Sequence, residues 1–307
     1  MATSIVYCFP GTHMQKIKFQ NQDCFLIENK KIQVVLSQSV GPRILGFNLQ
    51  GAKNILAEIP EFKTLLPDGS HYQIYGGHRL WIAPEQMPLT YDHDNQPVRI
   101  TNNHNTITIK KQIETQSGIE KILKIQLDPD IANVEIGHIL KNCGNQPIEC
   151  ATWAITQLKP GGVAILPQSN LDSGLLPNRS LALWPYTDFS SPRVRWGNDY
   201  ILVEANMDFP FKVGFPNPRG WLAYWIDGCL FVKRAPYDAQ ANYYDMGCSS
   251  ECYCNDQFLE LETLGPKTKL NPGESVSHVE IWELLENVSR PENEVDVAMM
   301  VENLGIS

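Results

Sequence analysis

Positive charge is scarce in this 307-residue chain. Its 25 Lys+Arg stand against 34 Asp+Glu, a formal net charge of −9 with histidine neutral. Phosphate backbones are bound by basic surfaces, and no Lys/Arg-rich run occurs here, so no nucleic-acid partner is expected. Long apolar runs are missing as well. No stretch approaches the ~18 apolar residues of a membrane-spanning helix. The apolar run at 5–9 is too short for a signal-peptide core and has no basic flank. These absences lead us to expect a soluble, cytoplasmic protein with no membrane partner.

Several sequence signatures are absent too. There is no Walker A loop, no dinucleotide-binding glycine fingerprint, no H-E-x-x-H, no G-x-S-x-G and no EF-hand loop. Nor is there the βαβ rhythm of a doubly wound sheet. Nucleotide enzymes, zinc proteases and serine hydrolases therefore recede, and no cofactor is expected. Internal repeats and low-complexity tracts are also lacking, and nothing in the sequence distinguishes a monomer from a homodimer.

The hydrophobic fraction of 43% and charged fraction of 19% are those of an ordinary globular protein. A chain of this length buries about 75% of its unfolded surface and needs no disulfide staples. One domain over 1–307 is the expectation, because large all-β folds often run this long as a single unit. Cysteine occurs at 8, 24, 143, 150, 229, 248, 252 and 254. The cluster Cys248, Cys252 and Cys254 has neither a second C-x-x-C nor a nearby histidine, so packing thiols are expected and no metal.

Short runs rich in Ile, Val, Leu and aromatics, bounded by Gly, Pro, Asn and Asp, predict strands at 33–37, 43–49, 98–110, 121–127, 134–140, 220–226, 230–233, 258–263 and 277–285. Turns are marked by Asp68-Gly69, Cys143-Gly144-Asn145, Pro160-Gly161-Gly162 and Asn271-Pro272-Gly273. Strict alternation, as in Lys121-Ile-Leu-Lys-Ile-Gln-Leu, gives one wet and one packed face and suits antiparallel sheets. A helix is predicted at the C-terminus, with Ser289-Arg-Pro-Glu292 as capping box, Gly305 as stop and Val297, Met300, Val301 and Leu304 along one face. A second short helix is expected over 60–65. The stretch 167–196 is rich in Ser, Pro, Asn and Arg but carries Leu171, Leu175, Leu176, Leu181, Leu183, Trp184 and Phe189. So many large apolar groups suit an ordered insertion beside a cleft better than a linker.

Three segments carry chemically useful groups. In Tyr75-Gly-Gly-His-Arg-Leu-Trp-Ile-Ala-Pro-Glu85, two glycines allow close backbone approach and His78, Arg79, Trp81 and Glu85 follow. Histidine transfers protons near neutral pH, arginine holds hydroxyls or an anion in a fixed fork, and tryptophan offers a flat apolar face. In Phe258-Leu-Glu-Leu-Glu-Thr-Leu-Gly-Pro266, a strand puts Glu260 and Glu262 on one face, roughly 7 Å apart. Partial burial would raise the pKa of one of them, as a general base requires. The third feature is a scatter of cations. Arg43 and Lys212 lie beside glycine-marked turns and are binding candidates, whereas Lys233, alone in a strand, is expected to snorkel to solvent.

In these segments the chain resembles the galactose mutarotase-like superfamily, specifically a bacterial branch carrying a G-G-H-R-L-W segment. The carriers, in order over about 240 residues, begin with Gly41-Pro-Arg-Ile-Leu-Gly46, Gly76-Gly-His-Arg-Leu-Trp81 and Trp153-Ala-Ile-Thr-Gln-Leu-Lys-Pro-Gly-Gly162. Leu259-Glu-Leu-Glu-Thr-Leu-Gly-Pro266 and the segment from Leu270 to Trp282 complete them. The resemblance implies a large antiparallel β-sandwich with a short C-terminal helix and a concave face that binds a small carbohydrate. It also implies aldose 1-epimerase chemistry, in which a glutamate in an L-E-T context takes the anomeric proton and a histidine protonates the ring oxygen. The glutamate carries over to Glu262. The family's strand histidine has no counterpart in 149–158, where Trp153 sits near its place, and Tyr75 stands where the family's histidine-glycine-glycine begins. His78 is then the expected acid, with Arg43, Arg79, Trp81, Glu85, Lys212 and Glu260 as substrate-binding residues.

Other functions remain open at this point. A non-catalytic sugar-binding or sensing protein on the same fold would need no histidine. A polysaccharide lyase or hydrolase is less suited, because Glu260 and Glu262 on one strand are too close and too parallel to flank a glycosidic bond. A purely structural β protein would place the 76–85 segment and Glu262 on different faces.

Overall fold

The computed structural model describes residues 13–306, so Cys8 and the apolar run at 5–9 lie outside the described residues. The strands form two large antiparallel sheets packed face to face. The first has eleven strands, running in space from Met14–Phe19 through Gln22–Glu28, Ile32–Ser37, Arg43–Leu49, His78–Ala83, Ile148–Leu158, Leu259–Leu264, Ser250–Cys254 and Phe211–Phe215 to Ala182–Leu183, with Thr268–Leu270 paired to the far end of Ile148–Leu158. The second has ten, and its centre is Trp221–Ile226, Cys229–Arg234, Ser275–Leu285, Asn133–Asn142 and Ile119–Leu127. A separate hairpin, Glu58–Leu65 with His71–Gly76, lies against the first sheet. The antiparallel sheets are those expected from the alternating pattern, and their stacking is the sandwich that the resemblance implied.

Alternation explains the core. On Ile119–Leu127 and Asn133–Asn142 every second residue turns inward, and Leu123, Ile125, Val134, Ile136 and Leu140 are fully buried there. They meet Ile44, Phe47, Leu80, Ile82, Leu259 and Leu261 from the first sheet in one cluster that reaches from Ile27 to Leu284. A buried aliphatic side chain of this size stabilises by about 1.5–3 kcal/mol relative to exposure, so such a cluster dominates the folding energy.

Three expectations need correction. The run 98–110 is a hairpin of two strands, Arg99–Asn103 and Thr106–Lys110, because His104 adopts φ 57° in the polar turn between them. Residues 60–65 belong to a strand, where pairing with His71–Gly76 overrides local helix propensity. The C-terminal helix spans Glu294–Leu304 and its N-cap is Asn293, not Ser289, since the Asn293 side chain accepts from the amides of Val295 and Asp296. Gly305 ends it at φ 64°. Val297 and Met300 are its buried residues, whereas Leu304 stays exposed. Among the described residues no helix is long and apolar enough to cross a membrane.

Candidate functional site

The outer face of the first sheet carries the site. Strand register lines its side chains up in rows. Arg79 stands opposite Ile155, Ile155 opposite Glu262, and Glu262 opposite Glu251. A parallel row runs Gln157, Glu260, Tyr253 and Lys212, and Trp81 faces Trp153 in a third. Residues from five strands thus converge because each contributes the same phase of its two-residue period.

Above these rows lies a cavity of about 160 Å³. Its lining includes five of the residues expected from the sequence, Arg79, Trp81, Glu85, Lys212 and Glu260. Its walls are aromatic, with Trp81, Trp153, Tyr91, Tyr186, Tyr253 and Phe258, and Phe62 and Ile74 come from the separate hairpin. Trp81 and Trp153 pack edge to face with ring centres 5.4 Å apart. Tyr186 comes from the insertion at 167–196 and lines the cavity, so that stretch borders the cleft. Several of its apolar groups, Leu171, Leu175, Leu176 and Phe189 among them, are exposed to solvent.

The polar floor is a buried ion-pair cluster. Arg79 Nη2 donates to Glu260 Oε1 at 2.9 Å, and Gln157 Nε2 donates to the same oxygen at 2.9 Å. Lys212 Nζ lies 2.7 Å from Glu251 Oε2 and donates to Glu262 Oε2 at 3.0 Å, which also accepts from Trp153 Nε1 at 2.7 Å. Aromatic faces hold both cations: the Arg79 guanidinium is 4.2 Å from the Trp81 ring centre, and the Lys212 ammonium is 4.8 Å and 4.7 Å from those of Trp153 and Trp184. Such contacts gain strength when the cation is desolvated.

Three carboxyls against two cations leave one negative charge in excess. Burial pushes the Glu251 carboxyl well above the ordinary carboxylate range despite Lys212 beside it. A protonated Glu251 balances the cluster. Burial also lifts Glu260 above its ordinary range, opposed by Arg79 and reinforced by Glu262. Burial disfavours charge on Lys212, but Glu251 and Glu262 hold its ammonium well above the ordinary lysine range. Lys212 therefore remains a cation and is a poor proton donor near neutrality.

Not all of the cluster's hydrogen-bonding capacity is used. Arg79 Nε and Nη1, Gln157 Oε1, Glu251 Oε1 and Glu262 Oε1 are buried without a hydrogen-bond partner within the protein. Buried polar groups are ordinarily paired, so a concentration of unpaired donors and acceptors beside one cavity is informative.

His78 is not part of this site. It alternates with Arg79 along His78–Ala83 and points between the sheets, fully buried. Glu262 alternates with Leu261 and Thr263 and points the other way, so the sheet itself separates the imidazole from the carboxylate. The expected acid–base pair is overturned by that one-residue phase. Arg43 must also be reassigned. It shares the outer face with Arg79, but the hairpin covers it. Its guanidinium donates to the carbonyls of Ile74 and Gly76 at 2.8 Å each and pairs with Asp94 at 2.5 Å, fully buried. It anchors the hairpin and is closed to a ligand. The glycines before His78 serve the same packing: at φ 86° and 72°, a Cβ on Gly76 or Gly77 would lie 2.1 Å from the carbonyl oxygens of Ala57 and Ile44 respectively.

Lys233 departs from expectation too. It does not snorkel; it is fully buried between the sheets, with its ammonium on Ala154 O, Thr156 Oγ1, Leu261 O and Glu280 Oε1 at 2.8–3.1 Å. It centres a polar network of His78, His138, Thr156, Thr263, His278, Glu280 and Trp282. The bonds assign the tautomers. His138 Nδ1 faces the His278 carbonyl and so carries that ring's proton, which makes His78 Nε2 the donor to His138 and His78 Nδ1 the acceptor from the Thr156 hydroxyl at 2.9 Å. His78 Nε2–H donates to His138 Nε2 at 2.7 Å, and His138 Nδ1–H to the His278 carbonyl at 3.1 Å. His278 donates to Thr263, Thr263 to Glu280 Oε1, and Trp282 Nε1 to Glu280 Oε2.

The facing atoms of His78, His138 and Glu280 lie within 4.8 Å of one another. A proton already fills the gap between the two rings, and the Lys233 ammonium sits 2.8 Å from Glu280. The trio is thus a hydrogen-bonded network and not an open cation site. Burial holds His78 well below the ordinary histidine range, lowers His138, and brings His278 down to about 3. Burial opposes ionisation of Glu280, but Lys233 and the histidines hold its carboxyl far below the usual range.

Sequence reading missed His138, His278, Glu280, Glu251 and Gln157. A signal existed for some: His138 interrupts the inward apolar series Val134, Ile136, Leu140, and a polar residue at an inward position needs a buried partner. Cys252 and Cys254 sit in the main core and Cys248 is buried. Burial drives the Cys254 thiol up to about 12, as for packing cysteines.

No protein-family model matches this chain, and no curated protein matches it. Solved structures do resemble its fold. A TPR-domain containing protein from Parabacteroides distasonis superposes with a TM-score of 0.60 at 15% identity over 89% of this chain, which spans 50% of that protein's length. A proposed aldose 1-epimerase from Klebsiella pneumoniae gives 0.58 at 10% identity, covering 95% of this chain and 86% of the other. A galactose mutarotase-like protein from Lactobacillus casei gives 0.51 at 10% identity, covering 85% and 100%. At such identities the likeness concerns the fold, which is galactose mutarotase-like.

Proposed function

We propose that the protein binds a carbohydrate ring in the aromatic-walled cavity, as a recognition protein. The carrying observation is the set of unpaired buried donors and acceptors, Arg79 Nε and Nη1 against Gln157 Oε1 and Glu262 Oε1, beside a cavity lined by Trp81 and Trp153. Sugar hydroxyls both donate and accept, and the apolar ring faces suit aromatic walls. Glu260, 7% exposed and lining the cavity, is the carboxylate placed to meet a hydroxyl, and Arg79 and Gln157 hold it in place.

The cations are already matched by carboxyls, so the cavity holds no spare positive charge for a phosphate or uronate. A neutral sugar is the ligand class this favours. Ring opening needs an acid at the ring oxygen, and the available groups fit poorly. Burial raises the Tyr91 and Tyr186 phenols far above neutrality and Tyr253 to about 12. One observation favours residual aldose 1-epimerase activity, the raised basicity of cavity-lining Glu260.

The test pairs calorimetry with polarimetry on neutral aldoses and their 6-phosphates. Saturable binding of a neutral sugar, weaker binding of its phosphate and no acceleration of anomer exchange are expected. Failure of every neutral sugar to bind would sink the recognition reading. Acceleration lost in Glu260→Gln would establish the epimerase instead.

A further inference from the structure

A second cavity of about 420 Å³ opens beside the first, and Tyr186 lines both. The inner cavity, at about 160 Å³, is smaller than the ~300–1,000 Å³ usual for small-molecule sites, while the outer one falls within that range. The two have different linings. The inner is a buried charge cluster under aromatic walls. The outer carries separate aromatic and polar groups, Phe209, Asp188, Arg193 and Asp208.

Phe209 is 81% exposed, an unusual state for a large aromatic side chain, and it stands on the rim of a concave site. Tyr186, at 46% exposure, packs edge-on to Tyr253, which belongs to the inner wall, with ring centres 6.4 Å apart. An aromatic sequence therefore leads from the inner cavity outward: Tyr253, Tyr186, Phe209. Asp188 accepts from the Ser190 amide and hydroxyl at 2.9 and 2.7 Å and so is fixed in place, and Arg193 is steadied by Glu204 at 3.4 Å. Ordered carboxylates next to aromatic faces are the groups that further sugar rings would engage, the hydroxyls on the former and the C–H faces on the latter.

We propose that the outer cavity is a second carbohydrate subsite and that the ligand is a neutral oligosaccharide or glycoside, one terminal ring seated in the inner cavity and the following units on Tyr186 and Phe209. This rests on reading the inner cavity as a sugar site. The aglycone side is then recognised by surface groups from 186–211, and the inner ring by the strand residues.

Calorimetry on the intact protein tests this with glucose, maltotriose and cellotriose, galactose and galactobiose, and mannose and mannotriose. In the matching series the oligosaccharide is expected to bind roughly tenfold tighter than its monosaccharide. Phe209→Ala should erase that margin and leave monosaccharide affinity unchanged, with Asp208→Asn eroding it in part. Both residues are exposed, so the fold should survive, as circular dichroism would check. Equal affinity for monosaccharide and oligosaccharide would overturn the subsite while leaving the inner site intact. So would a Phe209→Ala variant that keeps the full margin. Binding of neither class would overturn the subsite and the inner-site reading together.

Discussion

Two buried charge clusters lie back to back on the first sheet, built partly from the same strands. His78 and Arg79 are neighbours in sequence, as are Glu262 and Thr263, yet each pair is divided between the clusters by the strand period. The cluster between the sheets, around Lys233 and Glu280, has a partner for every buried polar side-chain atom. The cluster beneath the aromatic-walled cavity, around Arg79, Lys212 and Glu260, leaves several unpaired. A closed network holds two sheets in one register; an open one suits the sugar-binding role we propose for it. Equal burial does not mean equal role, and hydrogen-bond completeness separates them.

The largest expected effect comes from breaking the closed network. Lys233→Met or Glu280→Gln should each lower stability by about 3–5 kcal/mol, because the remaining partner is left buried and unmatched. The double replacement Lys233→Met with Glu280→Met should cost less than the sum, as urea denaturation of all three variants would show. Additive losses would mean that the pair is not coupled.

Acid should attack the same cluster next. The three histidines are neutral when folded, with pKa values pulled below the ordinary 6.5, so the unfolded chain binds more protons as pH falls. Stability should therefore drop below about pH 6.5 by up to about 1.4 kcal/mol per histidine per pH unit. Glu280, whose pKa is lowered, adds its own loss only below its ordinary 4.5. Urea midpoints at pH 7.5, 6 and 5 give the slope, and a flat profile would contradict neutral buried histidines.

The open cluster should respond in binding more than in folding. Arg79→Lys keeps the charge opposite Glu260 but loses the fork, and should weaken sugar binding by about 1.5–3 kcal/mol, the worth of a hydrogen bond to a charged group. Calorimetry beside urea denaturation separates the two effects, and a stability loss with unchanged affinity would reverse the assignment. The exposed pair Lys30–Asp130, 2.9 Å apart, serves as control: Lys30→Ala should leave the urea midpoint unmoved.

Much of the fold was legible from residue pattern alone. The alternating runs, the Gly and Pro turns and the C-terminal helix all appear, because each depends on neighbours within a few positions. Arg79, Trp81, Glu85, Lys212 and Glu260 were legible as a group through their chemistry and reach one cavity. His78, Arg43 and Lys233 were misread for a shared reason: their partners lie 28 to 79 positions away, and nothing local announces them.

Composition and a two-residue period determined that this chain forms antiparallel sheets and which side chains share a face. They did not determine which face meets the second sheet. In His78-Arg-Leu-Trp-Ile-Ala83 each face offers one polar group and large apolar ones, so hydrophobicity hardly distinguishes them. Only sheet packing, which set Leu80 and Ile82 against the main core and Trp81 against Trp153, sent the imidazole inward and the guanidinium outward. A strand specifies its alternation locally, whereas its orientation is decided by the total apolar surface that all the strands bury together.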